Sequence, residues 1–163
     1  FRMRNQLFRN TGGGRLAEMS KAGGPAFERA EIGRGAAFGD IDNDGDIDVV
    51  VTNNHGPVRL LLNQVGSRNH WLQIRLQQGP GNRFGFGAWV GVEQTGRPTA
   101  WRRVRTDGSY LSASDARVHV GLGTSAGPVA VTVQWSDGVR ERWTGAQVDR
   151  LVTLQRGTGG TGK

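Results

Sequence analysis

The chain has 163 residues, a formal charge of +7 and 27 glycines. That length suits one ordinary domain or two small ones, and a glycine share roughly double the usual ~7% favours strands and tight turns over helices. The absence of cysteine excludes a disulfide framework and thiolate metal sites, and no run of about 18 apolar residues exists to span a membrane. No secretory leader is visible, and a start at Phe1 reads as a mature product or an excised fragment. Nineteen of the 21 cations are Arg, scattered along the chain. Such basicity points to nucleic acid or an anionic surface. With no dense basic run and no nucleic-acid motif, it reads instead as a surface that uses Arg as its default polar residue.

From the N-terminus, "NQLFRNTGG" at 5–13 is echoed by "VRLLLNQVG" at 58–66. Leu7, Phe8 and Asn10 align with Leu60, Leu61 and Asn63, 53 residues apart. A fixed spacing in this range points to a repeat architecture such as a propeller, whose units bury their faces against neighbours. Residues 11–35 are Gly-rich and read as a mostly irregular connection with a short helix around Ala17–Lys21. The stretch "GDIDNDGDIDVV" at 39–50 follows, then a strand at about 47–53, a turn at "NNHGP", a strand at 58–63 and a boundary at "NQVGSRN". From residue 70 the pattern changes to short alternating strands: "WLQIRLQ", "AWVGVE", "RVHVGLG", "VAVTVQW" and "RLVTLQR", the last at 150–156 and placed to close the sheet. Period-two alternation between turn signals such as "SDG" predicts half-buried antiparallel strands. Their core is expected to include Leu72, Ile74, Val90, Val92, Val118, Val120, Val131 and Val133. The predicted fold is all-β: a partial β-propeller repeat unit at 1–66, a small antiparallel β-sandwich or barrel at 69–157, and a flexible Gly-rich tail at 158–163.

The acidic stretch places Asp40, Asp42, Asp44, Asp46 and Asp48 within nine positions of a basic chain. An Asp-Gly turn accounts for Gly45 and Asp44, but not for the other four carboxylates. A hard cation accounts for all five. Ca²⁺ takes six to eight oxygens, and alternating Asp side chains in a tight loop converge on one point. Gly45 stands at the sixth position from Asp40, where such a loop turns. Asp40, Asp42 and Asp44 are expected to supply side-chain oxygens, Asp46 its carbonyl, and Asp48 to close the shell. The twelfth position is Val51 rather than Glu and a strand follows, so this is no EF-hand. Mg²⁺, which keeps several waters, suits the site less well.

"GRGAAFGDIDNDGDIDVVVTN" resembles the FG-GAP/VCBS type of propeller repeat, with its "FGD" lead-in and DxDxDGxxD loop. "NHWLQIRL…NRFGFGAWVGV…GSYLSASDARVHVGLG…VTVQWSDG" resembles the ASPIC/UnbV domain, which follows such repeats in cartilage-acidic-protein-like proteins and in the UnbV proteins of enediyne gene clusters. The two resemblances cover nearly the whole chain. They imply a C-terminal, calcium-binding fragment of an extracellular or periplasmic protein, whose partners include the upstream propeller blades. They imply no defined activity.

Other constellations carry less. "SYLSASDARVH" at 109–119 offers Ser, Asp and His, but His119 alternates with Val118 and Val120 and points off the sheet, and nothing supplies a nucleophile elbow or oxyanion hole. "GFGAWV" at 85–90 puts Val90 where a dinucleotide loop needs its third Gly. His55, His70 and His119 lack metal-ligand spacing. "AWRRVRT" sets Trp101, Arg103 and Arg105 on one strand face, with Trp71 and Trp89 on other outer faces. These residues form either a stacking and anion platform for sugars or single-stranded nucleic acid, or an interdomain contact with Arg stems packed on apolar surface; the expected partner is a glycan or protein ligand. The expected function is a calcium-stabilised binding or structural module rather than an enzyme. The alternatives are an accessory protein or enzyme of a biosynthetic cluster and, less favoured, a nucleic-acid-binding domain.

Overall fold

The structure, a computed structural model, describes residues 1–161 and is all-β, with short 3₁₀ turns as the only helical segments among the described residues. The first part of the chain forms β1 (Met3–Arg4), β2 (Phe8–Gly12), β3 (Arg15–Glu18), β4 (Ala30–Glu31), β5 (Gly33–Gly39), β6 (Asp48–Asn53) and β7 (Arg59–Leu61). The second forms β8 (His70–Gln77), β9 (Trp89–Glu93), β10 (Ala100–Arg103), β11 (Val118–Gly123), β12 (Val129–Gln134), β13 (Arg140–Ala146), β14 (Arg150–Gln155) and β15 (Gly160–Thr161). The sheets run β1-β4, β2-β3, β5-β6-β7, β11-β8-β14 and β10-β9-β12-β13-β15, and none closes on itself.

The three- and five-stranded sheets of the second part share one apolar core, the arrangement of a β-sandwich. Leu72, Ile74 and Leu76 of β8 and Val118, Val120 and Leu122 of β11 meet Val90, Val92, Val131 and Val133 of the facing sheet, with Trp135, Val104 and Leu154 in the same cluster. All eight residues predicted for the core are buried. Fully burying each Val, Leu or Ile is worth about 1.5–3 kcal/mol, so this part carries its own stabilisation. Residues 1–66 contrast sharply. Their one fully buried apolar side chain is Val51, and the others buried to that degree are Asp40, Asp46 and Asp48. Phe1, Met3, Leu7, Phe8, Leu16, Phe38, Ile41, Val58, Leu60, Leu62 and Val65 are exposed.

Three expectations need correction. No helix forms at Ala17–Lys21: Ala17 and Glu18 complete β3, and a single 3₁₀ turn at Ser20–Gly23 follows without a side-chain cap. A segment this short cannot repay helix nucleation, whereas the Gly12–Gly14 turn returns the chain into a β2–β3 hairpin. The strand at 150–156 pairs parallel to β8 rather than antiparallel, with Val152 opposite Ile74. The chain leaves β13 in one layer and crosses at Asp149, whose amide donates to Trp71 O (2.7 Å), so β14 enters the other layer beside the start of β8 and runs with it. The segment from 158 is a strand at Gly160–Thr161, opposite Arg142 and Glu141. The remainder of that expected tail, residues 162 and 163, lies outside the described residues. The echoed segments differ in pairing, β2 with β3 and β7 with β6. Each is nonetheless followed by an Asx turn, Asn10 Oδ1 accepting from Gly12 N (2.8 Å) and Asn63 Oδ1 from Val65 N (3.2 Å).

The two parts meet along β5. Its inner edge pairs with β6, and an unpaired outer edge would expose backbone donors and acceptors. The 109–115 segment covers that edge. Ser109 Oγ accepts from Ala36 N (3.1 Å), Ser114 Oγ accepts from Phe38 N (3.2 Å), and Asp115 N donates to Phe38 O (2.8 Å). Gly35 permits this approach: a Cβ there would lie 2.4 Å from Ser112 Oγ.

Candidate metal centre

The acidic loop connects β5 to β6 and is held by backbone donors. Asp40 Oδ1 accepts from Asp44 N (3.1 Å) and Oδ2 from Gly45 N (3.1 Å). Asp48 Oδ2 accepts from Ile41 N (2.9 Å) and Oδ1 from Asn63 N (2.9 Å). Asp44 Oδ1 turns back to Asp46 N (3.0 Å). The carboxylates brought together are those of Asp40, Asp42 and Asp48, each with an oxygen within 4.8 Å of the others. Two oxygens that each bind one Ca²⁺ at about 2.3–2.6 Å can stand no more than about 5 Å apart, so this spacing fits a shared hard cation. Asp44 and Asp46 stand outside that trio. Asp46 Oδ2 accepts from Gly66 N (3.1 Å), while its buried Oδ1 has no partner. Burial, followed by the neighbouring Asp44 charge, pushes the Asp46 carboxyl above its ordinary value.

Among the described residues, none of the five aspartates forms a salt bridge, although the chain is strongly basic. The nearby cation Arg117 is engaged differently. It pairs with Asp115, and its Nη2 and Nη1 donate to Asp40 O (2.8 Å) and Asn43 Oδ1 (3.0 Å). Among the described residues no protein cation pairs with the loop carboxylates, and an all-oxygen donor set fits Ca²⁺.

The floor beneath the loop is the outer face of β8 and β11. Gln73 Nε2 donates to Asp40 Oδ2 (2.7 Å) from a fully buried position. His119 Nε2 meets Gly45 O at 2.8 Å, and the His119 ring stacks on Trp71 at 6.2 Å between centroids. Gly45 has φ +95°, and a Cβ there would lie 1.9 Å from Trp71 Cε2. Only glycine both takes that turn and lets the loop rest on the indole. His119 points off the sheet, as its alternation with Val118 and Val120 predicts, and its ring meets the loop. Nothing in the alternation of β8 marks Gln73 as buried. Its outward position predicts solvent, and a partner 33 residues away covers it.

Of the outer-face residues, Trp71 lies under the loop, whereas Trp89 and Trp101 remain 47% and 40% exposed. Trp101 lies opposite Gly91, and Arg103 opposite Trp89. Arg105 falls beyond the end of β10 and faces Asp107 at 3.7 Å. In "SYLSASD", Ser109 and Ser114 accept from the β5 edge and Ser112 Oγ donates to Tyr110 O, while His119 meets Gly45 O, so among the described residues no Ser–His pair forms there. Among the described residues no helix is long and apolar enough to cross a membrane.

Fold and loop together define an FG-GAP-type repeat joined to a C-terminal β-sandwich. Residues 2–51 match the FG-GAP-like repeat and residues 78–161 match the ASPIC and UnbV family; the chain belongs to that family. It is similar to cartilage acidic protein 1 of Homo sapiens and of Mus musculus, at 32% identity over 122 residues, and of Xenopus tropicalis, at 31%. Each alignment covers 71% of this chain and 18% of the relative, so the chain spans less than a fifth of those proteins' length.

Proposed function

We propose that this chain is a calcium-fastened, extracytoplasmic module at the C-terminal end of a larger repeat protein, serving binding or architecture rather than catalysis. The observation that carries the calcium reading is the trio of carboxylates, Asp40, Asp42 and Asp48, within 4.8 Å and without a protein cation. Bound Ca²⁺ would neutralise these charges and cross-link the end of β5 to the start of β6. Each Asp48 oxygen already accepts one backbone N–H, which aims the carboxylate and leaves further lone pairs for a cation. The uncovered apolar side chains of residues 1–66 support upstream propeller blades as their cover. Calcium titration by calorimetry, with Asp48→Asn as the comparison, tests the site. Calcium at about 100 times its dissociation constant stabilises by roughly 2.7 kcal/mol. Wild-type melting should therefore rise by several degrees, and the variant's should not. Melting indifferent to calcium and chelator, with no calorimetric signal, refutes it.

The exposed face of β9 and β10 favours a ligand surface. Trp89, Trp101 and Arg103 share it through the β9–β10 register, and Thr132 and Gln134 of β12 continue it. Flat rings beside a guanidinium suit a sugar carrying an acidic group. A screen of uronate- and sulfate-bearing oligosaccharides against wild type and Trp101→Ala tests this. Failure of wild type to bind any of them, or equal binding by both, removes the surface from the proposal.

A further inference from the structure

We infer that the C-terminal sandwich forms the second half of the metal site: Gln73 positions the Asp40 carboxylate, and cation binding in the loop is coupled to the stability of the sheet beneath it. This rests on the calcium reading above and adds a residue from the other part of the chain.

Gln73 lies on the outer face of β8, between Leu72 and Ile74 of the core, yet it is 2% exposed because the loop covers it. Its amide donates to Asp40 Oδ2 at 2.7 Å, and the same oxygen accepts Gly45 N at 3.1 Å. Two fixed donors on one oxygen set the plane of the carboxylate. The donor chemistry is selective. A buried Lys or Arg at position 73 would neutralise Asp40 and compete with a cation, whereas a neutral amide orients the carboxylate and leaves its charge available. The other contacts from the sandwich follow the same rule. Arg117 reaches the Asp40 carbonyl and the Asn43 amide oxygen, its charge answered by Asp115, and His119 reaches the Gly45 carbonyl. Of these three side chains, Gln73 alone touches a loop carboxylate. Outer-shell partners of this kind typically change metal affinity by about 10–100-fold when removed.

Coupling follows from the same contacts. Gln73 and His119 are cross-strand partners, and Leu72 and Ile74, which flank Gln73, are fully buried in the sandwich core. Order imposed on the loop by a cation is therefore order imposed on β8 and β11, and the linkage is reciprocal.

Calcium is titrated into the whole chain as wild type, Gln73→Met and Ile74→Ala, and amide hydrogen exchange of wild type is followed with and without calcium. Gln73→Met keeps the length of the side chain and removes the donor. Its calcium dissociation constant should rise by about tenfold or more, while Ile74→Ala, which weakens the core and keeps the donor, should raise it by less, as reciprocal linkage requires. In wild type, calcium should slow exchange at Leu72, Ile74 and Val120 as well as in the loop. Wild-type binding with unchanged affinity in Gln73→Met, or protection confined to residues 36–51, overturns the coupling and leaves the calcium site standing. No binding by wild type overturns the site and the coupling together. Should Gln73→Met fail to fold, the wild-type exchange pattern decides alone.

Discussion

Replacing Gly45 by Ala tests whether the acidic loop rests on the sandwich. Gly45 adopts φ +95°, and an added Cβ would fall 1.9 Å from Trp71 Cε2 and 2.1 Å from Nε1. The left-handed backbone costs an L-residue about 1–2 kcal/mol, and overpacking against an indole fixed by His119 adds about 1–3 kcal/mol. Were the loop to lift away, the clash would vanish, but the Gln73–Asp40 and His119–Gly45 hydrogen bonds would be lost, so a penalty of similar size would remain. The sum of about 2–5 kcal/mol, at about 2–4 °C per kcal/mol for a chain of this length, lowers the melting temperature by about 4–20 °C. Gly13 supplies the control. Its φ is +58° and no atom lies within 4 Å of a Cβ built there, so Gly13→Ala carries the backbone cost alone. Differential scanning calorimetry of both variants, with calcium titrations alongside, isolates the contact with Trp71. Equal melting temperatures and equal calcium affinities in the two variants would refute the docked loop.

Acid sensitivity has a defined sign at Asp149, whose carboxylate faces His70 Nδ1 at 2.6 Å and accepts from Trp71 N. The hydrogen bond from His70 holds this carboxyl below its usual value. A depressed acid stabilises the fold above its unfolded value of about 3.9 and loses that contribution as pH falls through the lower folded value. Urea midpoints between pH 2 and pH 5 should therefore fall less steeply for Asp149→Asn than for wild type, and parallel curves would contradict the assignment. Ile74→Ala, at a fully buried position, should cost about 2–5 kcal/mol in urea denaturation; a loss below 1 kcal/mol would mean that the two sheets do not share this core. Ser114→Ala removes the acceptor for Phe38 N and should cost about 1 kcal/mol or less, as expected for a partly exposed hydrogen bond. Faster exchange at the Phe38 amide is its specific sign, and an unchanged rate would show that Ser114 does not cap the β5 edge.

Local pattern was enough for the sandwich strands. Val90/Val92, Val118/Val120 and Val131/Val133 alternate with polar neighbours, and such alternation has one stable outcome, an apolar face turned inward. The acidic loop was legible as a cluster of like charges around Gly45, and the structure draws three of its five carboxylates, Asp40, Asp42 and Asp48, within 4.8 Å. Other features have no local cause. β5 is built from "GRGAAFG", a glycine-rich run that reads as a connection. It is a strand because β6 pairs with one edge and Ser109 and Ser114 satisfy the other. β13 carries no apolar alternation, since "RERWTGA" buries only Glu141 to full depth. Glu141 is held there by Trp135 Nε1 (2.5 Å) and Gly157 N (2.8 Å). β14 carries the right alternation, but its parallel place beside β8 depends on where the chain crosses between layers. Gln73, Trp71 and His119 occupy the face that periodicity assigns to water. Periodicity reports which side of a strand is apolar; it contains no term for what arrives from 30 or 70 residues away to cover the other side, and that arrival makes the outer face of β8 and β11 the floor of the acidic loop.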